Sequence, residues 1–322
     1  MIRKNILKNI ENEYVSENVL IEKLNTTHEK LNENIEKLIN AGYEINHDNN
    51  KGYKLVSTPD ILEPFEIQRK LTTKYIGHSI HYYKEVTSTN DIAEKFVDMD
   101  APEGSVIIAE KQTAGRSRKK TDWISPKGGI WMTIILRPDV DLLEASKLTI
   151  VTGVALAKTL NDEFNIDAGI KWPNDILIGD KKICGILTEA ITEKEDIKAV
   201  LVGIGLDVNL DENEIPDDLK PIATTIKKYM EKTINRSDIL NAFFNYFEEY
   251  YDRFIKGDFK YTIKEWRRLS TTSGKRVKVY NKGKALCADA IGIDNSGALI
   301  VELDDGSLEK IISGDVKILK ED

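Results

Sequence analysis

Residues Leu142–Phe164 read as one long helix whose apolar side chains fall on nearly every face, through Ile150, Val151, Val154, Ala155, Leu156 and Ala157. A helix with no polar stripe needs cover on all sides, so this one is expected between layers of a packed interior. No stretch of the chain approaches the roughly 18 consecutive apolar residues of a membrane span. The cover must therefore come from protein. Strand-like runs at Ser105–Ala109, Gly129–Leu136, Ala168–Ile170, Asp175–Ile178, Lys182–Thr188 and Ala199–Val208 supply it. Several are neighbours joined by short turns, Gly179-Asp180 among them, which predicts an α+β domain with a mainly antiparallel sheet.

At 322 residues the chain is long enough for two or three domains. Residues 1–58 read as a small helical unit. Ile2, Ile6, Leu7 and Ile10 mark a first amphipathic helix. Ser16 heads a second, with Val19, Leu20 and Leu24 inward. Thr27 heads a third over His28–Asn40, with Leu31, Ile35, Leu38 and Ile39 on one face and Gly42 at its end. A hairpin follows around His47-Asp48-Asn49-Asn50. Three short helices and a hairpin make a winged helix-turn-helix, and Ser57-Thr58-Pro59-Asp60 reads as the linker. Residues 65–270 form the long middle. Its aromatic stripe, Phe243, Phe244, Phe247, Tyr250, Tyr251 and Phe254, is expected to be core, with Ser237 as cap and Gly257 as stop. From 271 to 322, strands at 277–280, 288–293, 299–303 and 308–312 alternate with glycine turns, as in a small barrel.

The formal net charge is -8, yet Gly115-Arg116-Ser117-Arg118-Lys119-Lys120 packs four cations into six residues. An anion grip, a solvated surface loop and a nucleic-acid patch all fit that loop. Arginine forks bind phosphate or carboxylate in two-pronged fashion, and glycine lets a backbone approach closely. The four histidines are His28, His47, His78 and His81, and the two cysteines, Cys184 and Cys287, sit in strand-like apolar contexts as expected buried thiols. A zinc site or a histidine-driven nucleophile in the middle of the chain is therefore not expected. Any chemistry there runs on Lys, Arg, carboxylates and backbone groups. The N-terminus has no apolar signal core, so the expected compartment is the cytoplasm, with no membrane contact.

Four further motifs stand in order. Thr87-Ser88-Thr89-Asn90 opens a helix and, taken alone, is an N-cap. Lys171-Trp172-Pro173-Asn174-Asp175 carries a proline-stiffened bend. Lys182 begins Ile183-Cys184-Gly185-Ile186-Leu187, where its ammonium either meets a developing charge or is an ordinary surface lysine. Gly203-Ile204-Gly205-Leu206-Asp207 is a Gly-x-Gly strand that marks close backbone approach.

The order Ser-Thr-Asn, Gln-x-x-Gly-Arg-x-Arg, Lys-Trp-Pro-Asn-Asp, Lys-x-x-Gly-Ile-Leu, Gly-x-Gly resembles the biotin protein ligases. With the N-terminal unit it resembles their bifunctional branch, ligase and biotin operon repressor in one chain. The resemblance spans essentially the whole sequence. It implies a central domain like class II aminoacyl-tRNA synthetases and an SH3-like C-terminal barrel. It implies activation of biotin by ATP and Mg²⁺ to biotinyl-5′-AMP, then transfer to a lysine of a biotin carboxyl carrier protein. Carried over by position, the biotin site would comprise Ser88, Thr89, Asn90, Gln112, Gly115, Arg116, Ser117, Arg118, Lys182 and Gly185. The nucleotide side would comprise Arg118, Trp123, Asn174, Lys182 and Asp207. Arg118, Lys182 and Asp175 would serve the chemistry. No resident protein-held metal is expected, and pairing into a homodimer on adenylate binding is. A non-catalytic biotin-sensing regulator and a lipoate-type ligase are the alternatives.

Three departures from the family pattern stand out. Ser117, Lys120 and Thr121 replace two glycines and an arginine of the basic loop. Asp207 replaces a common asparagine, to aid Mg²⁺ or to pair with a cation. The third helix carries Thr27, His28, Lys30, Asn32 and Asn34 where relatives often have Arg, Trp and Lys. Residues 1–58 hold eight Lys/Arg against nine Asp/Glu. Phosphate contacts supply much of DNA affinity, so operator binding would rest on those residues together with Lys51 and Lys54.

Overall fold

A computed structural model describes residues 2–118, 122–194, 196–281 and 284–319. The basic-loop residues Lys119, Lys120 and Thr121 lie outside the described residues. The chain divides into two compact units, Met1–Leu71 with Asn235–Asn241, and Thr72–Ile234 with Ala242–Asp322.

The first unit holds α1 (Ile2–Ile10), α2 (Glu17–Leu24), α3 (His28–Asn40), the antiparallel hairpin β1 (Glu44–Asp48) and β2 (Gly52–Ser57), and α4 (Pro64–Arg69). Ile6, Leu7, Ile10, Leu20, Leu31, Ile35 and Leu38 close one core with Tyr43, Tyr53 and Leu55 of the wing. Thr27 caps α3, its oxygen accepting from the Lys30 amide at 3.4 Å. Two expectations need correction. Ser16 precedes α2 but makes no side-chain capping bond. Val19 and Ile39 are exposed, because each lies one position beyond the arc its helix buries. The linker residues Thr58–Asp60 are held in place: Asn235 donates to Thr58 Oγ1 and Pro59 O at 3.0 and 3.2 Å, and Arg236 Nε donates to Asp60 at 2.9 Å.

The second unit is built on a seven-stranded sheet. Its strands are β3 (Ile80–Tyr83), β4 (Ser105–Ala109), β7 (Ile130–Leu136), β8 (Ala168–Lys171), β9 (Asp175–Ile178), β10 (Lys181–Glu193) and β11 (Asp196–Leu206), while β5 (Gln112–Gly115) and β6 (Trp123–Ser125) form a separate small ladder. The order is β3-β4-β7-β11-β10-β9-β8, and only β3 with β4 is parallel. The antiparallel expectation therefore holds.

Helices cover both faces. On one, α5 (Thr89–Asp98) packs Ala93 and Val97 against Ile107, Ile135 and Leu201. On the other lies α7 (Leu148–Phe164), whose Gly153 stands over Ile170, Ile176 and Ile186. α7 is buried along most of its length. The single helix expected over Leu142–Phe164 is instead two, α6 (Leu142–Ser146) and α7, which meet at Lys147. Leu142 and Leu143 are exposed, so the layered section starts only at Leu148.

Then come α8 (Ile226–Met230), α9 (Arg236–Ile255) and α10 (Phe259–Leu269). The aromatic stripe of α9 is buried from Phe243 to Phe254, as expected. Its cap is Asn235, whose Oδ1 accepts from the Ser237 amide at 3.0 Å, and Ser237 sits inside the helix. The C-terminal part is an all-antiparallel sheet of β12 (Arg276–Asn281), β13 (Lys284–Ile293), β14 (Leu299–Glu302), β15 (Leu308–Ile311) and β16 (Asp315–Ile318) in the order β15-β14-β13-β12-β16. The last strand is too short and polar to show a period in sequence. Cys184 is buried, but Cys287 is exposed, on the outward phase of β13, which corrects the expectation of two buried thiols. No helix among the described residues is long and apolar enough to cross a membrane.

Candidate active site

A cavity of about 370 Å³ opens on the α5 face of the sheet, and every motif of the second unit contributes to its wall. Ser88, Thr89 and Asn90 come from the start of α5. Gln112, Arg116, Ser117, Arg118 and Trp123 come from the β5–β6 segment. Lys171, Asn174 and Asp175 come from the β8–β9 turn. Lys182, Gly185, Gly203, Gly205 and Asp207 come from β10 and β11 with its exit. Of the residues expected at the site, Gly115 alone does not line it. A Cβ there would stand 2.4 Å from Trp123 O and 2.8 Å from Ser125 Oγ, so this glycine serves the β5–β6 ladder itself.

The floor is a closed hydrogen-bond set. Ser88 caps α5 by accepting from the Asn90 amide at 3.2 Å. Gln112 Oε1 accepts from the Thr89 amide at 2.8 Å, and Gln112 Nε2 donates to Ser125 Oγ at 2.8 Å. Thr133 Oγ1 donates to Asn90 Oδ1 at 2.5 Å, and Asn90 Nδ2 donates to Glu189 Oε2 at 2.7 Å. Both amide ends of Asn90 are thereby fixed. Gly203 makes room for it: a Cβ there would meet Asn90 Oδ1 at 2.4 Å.

Lys182 reaches the cavity through a register irregularity. β10 pairs Cys184 with Ile176, on the α7 face, yet pairs Lys182 with Leu177, on the cavity face. Plain alternation would put residues 182 and 184 on the same side; the bulge at Ile183 turns Lys182 over. Its Nζ lies 2.6 Å from Asp175 Oδ1 and 4.9 Å from the Trp123 ring centroid. Lys171 Nζ stands 3.7 Å from Asp175 Oδ2. Trp123 lies against two glycines. A Cβ on Gly205 would stand 2.4 Å from its Nε1, and one on Gly185 3.0 Å from its ring. The Trp123 Nε1 is buried and has no hydrogen-bond partner.

The two arginines differ. Arg116 Nη1 donates to Asp91 Oδ1 at 2.9 Å and its Nη2 pairs with Glu189. Arg118 Nη2 donates to Gly314 O at 2.7 Å and Asp315 Oδ1 at 2.5 Å, from the C-terminal sheet. Trp172 ties the C-terminal part to the wall as well, its Nε1 donating to Gly297 O in the β13–β14 turn and its amide to Thr272 Oγ1 ahead of β12, both at 3.0 Å. Asn174 is locked to β10 through Ile186 O at 3.0 Å. Burial pushes the Asp207 carboxyl well above its ordinary range, and the nearby Lys182 charge only partly offsets this. Burial likewise pushes the Cys184 thiol up, so it stays protonated. Glu189, Thr133 and Asp315 escaped sequence reading, since each acts only through a partner distant in the chain.

Among the described residues, no three His, Cys, Asp or Glu side chains are grouped so as to hold a metal ion. Asp175 is shared by two lysines, Lys182 and Lys171.

In the first unit, the expected DNA-facing residues fall into two groups. Thr27 is engaged as a cap. His28 pairs with Glu17 at 2.6 Å, Asn32 Oδ1 accepts from Tyr53 at 3.1 Å, and Asn34 donates to Lys30 O at 2.7 Å. Lys51 and Lys54 stand over the Tyr14 ring on the wing, 5.7 and 5.8 Å from its centroid, and Lys30 is exposed on α3.

Residues 82–207 match the Biotin/lipoate A/B protein ligase family, and residues 272–319 match the Biotin protein ligase C terminal domain. The chain is 34% identical, over 95% of its length and 94% of the relative's, to the bifunctional ligase/repressor BirA of Bacillus subtilis (strain 168). Its fold is similar to the biotin protein ligase of Aquifex aeolicus in complex with biotin and ATP, with a TM-score of 0.66 and 27% identity over 76% of this chain and all of that one. It is also similar to the Leishmania major enzyme in complex with biotinyl-5-AMP, with a TM-score of 0.52 and 25% identity over 73% and 98% of the two chains. The antiparallel sheet, the assembled cavity and the full-length likeness agree: the chain belongs to the biotin protein ligase family.

Proposed function

We propose that this protein is a biotin–[carrier protein] ligase that also acts as a biotin-responsive repressor. In the first step a biotin carboxylate oxygen attacks the α-phosphorus of MgATP. A P–O bond forms to give biotinyl-5′-AMP, and pyrophosphate leaves. In the second step the neutral amine of a carrier lysine attacks the acyl carbon, the C–N bond of the amide forms, the nitrogen loses a proton to solvent, and AMP leaves with the acyl C–O bond broken. Both steps bring anions together or develop negative charge, so fixed cations are the catalytic need. Lys182 meets it from inside the cavity, and Arg118 from the rim. The single observation that carries this reading is Lys182, turned into the cavity by its bulge and held 2.6 Å from Asp175 beside Trp123.

Ser88, Thr89, Asn90 and Gln112 face a largely neutral ligand that needs directed donors and acceptors. Trp123, Asn174 and Asp207 flank the nucleotide. Functionally we divide the chain into a DNA module (1–58), a ligase module (65–270) and a C-terminal module (271–322), working in the cytoplasm on a biotin carboxyl carrier protein and pairing as a homodimer on adenylate binding. ATP–pyrophosphate exchange dependent on biotin, followed by label transfer to a purified carrier domain, tests the ligase. Exchange with lipoate in place of biotin would refute the substrate. Adenylate that forms but never reaches the carrier would reduce the protein to a sensor.

A further inference from the structure

We propose that Glu189 is the positioning residue of the biotin site, joining the fixed floor of the cavity to the basic loop above it. This rests on the biotin ligase reading and extends it to a residue that no motif singled out. Glu189 lies on β10, opposite Leu201 of β11, on the cavity face of the sheet. Its two oxygens do different work. Oε2 accepts from Asn90 Nδ2 at 2.7 Å, and Oε1 pairs with Arg116 Nη2. Its side chain is 26% exposed against 39% for Arg116, so the carboxylate is the better-anchored partner.

The Asn90 amide has two ends, and Thr133 already occupies its oxygen. With Glu189 accepting one N–H and Thr133 donating to the oxygen, the amide cannot flip, and the Asn90 side chain is held in one orientation in the cavity wall. Without Glu189 only the Thr133 bond resists rotation. The same loss leaves Arg116 with the Asp91 pair, whose carboxylate is 40% exposed against 26% for Glu189. A carboxylate suits both duties because it is acceptor-only. Glutamine presents one acceptor oxygen and one donor group, so it can satisfy Asn90 or Arg116 but not both.

Three measurements on the full chain test this: biotin and ATP kinetics in pyrophosphate exchange, tryptic cleavage after Arg116 in the absence of ligand, and thermal unfolding. Glu189→Ala is expected to raise the biotin KM about tenfold or more, the size of one lost charge-assisted hydrogen bond. Glu189→Gln is expected to fall between Ala and wild type. In both, kcat and the ATP KM stay within about twofold of wild type. Cleavage after Arg116 accelerates in Glu189→Ala, and the unfolding midpoint moves by no more than a few degrees. An unchanged biotin KM in folded Glu189→Ala overturns the proposal, as does a loss confined to kcat. Should Glu189→Ala fail to fold, Glu189→Gln decides by the same KM ratio. If wild-type protein shows no biotin-dependent exchange, the ligase reading fails, and unchanged tryptic cleavage in Glu189→Ala then overturns the loop anchor separately.

Discussion

Lys182 and Asp175 sit on neighbouring antiparallel strands, and the bulge between Lys182 and Cys184 is what brings Nζ within 2.6 Å of Oδ1. The carboxylate holds the ammonium at the cavity wall while Lys171 approaches its other oxygen at 3.7 Å. A cation held this way needs little reorganisation when an anionic ligand arrives.

Lys182→Ala should therefore lower the rate of biotinyl-adenylate formation by about 10²–10³-fold, the usual cost of one charge-stabilising group. Circular dichroism should be unchanged. Stopped-flow pyrophosphate release measures the rate, and activity within threefold of wild type would remove Lys182 from the chemistry.

Gly205→Ala should displace Trp123, because the added carbon would stand 2.4 Å from its Nε1. The ring is stiff and packed, so overpacking should lower stability by about 1–3 kcal/mol. The ATP KM should rise more than the biotin KM. Tryptophan fluorescence titrated with ATP reports the displacement, and an equal rise in both constants would place Trp123 outside the nucleotide side.

Asp207 gives a pH signature. Its folded pKa is raised above the ordinary value of 3.8, chiefly by burial. The native state therefore holds its proton more tightly than the unfolded chain. The stability this contributes is complete below that ordinary value and is lost as pH rises through the folded pKa. Asp207→Asn removes the dependence, so the variant should gain on wild type as pH increases from 4 upward. Urea midpoints at pH 4 and pH 8 measure it; a constant difference would mean Asp207 is ionised in the native protein.

The wing should dominate DNA affinity, because His28, Asn32 and Asn34 already have protein partners. Lys51→Ala with Lys54→Ala should weaken binding to a biotin-operon fragment at every sequence tested. The double variant should also reduce the slope of log affinity against log salt by about 2, one for each phosphate that no longer has a lysine to neutralise it. Mobility shifts with adenylate-loaded protein supply the numbers. A loss of sequence preference without a change in slope would assign these lysines to the bases.

Much of this molecule is legible along the chain. Periodicity marks the three N-terminal helices and the wing, because each buries one face within a few turns of its own sequence. The short motifs contain much of the cavity lining, since most of them sit at or near element ends. Helix arcs are less legible: Val19 and Ile39 lie just beyond the arc their helices bury, and Leu142 and Leu143 come before the layered section begins, so all four are apolar yet exposed.

By itself the sequence determined the residue types of the site, the antiparallel architecture and the family. Tertiary structure alone decided which way those residues face. Strict alternation would put Lys182 with Cys184 under α7, and only the register of β10 against β9 turns it into the cavity. Glu189 and Asp315 acquire roles only because Arg116 and Arg118 come within reach across 73 and 197 residues of chain. Strand register and long-range ion pairs depend on several segments at once, so no local pattern records them.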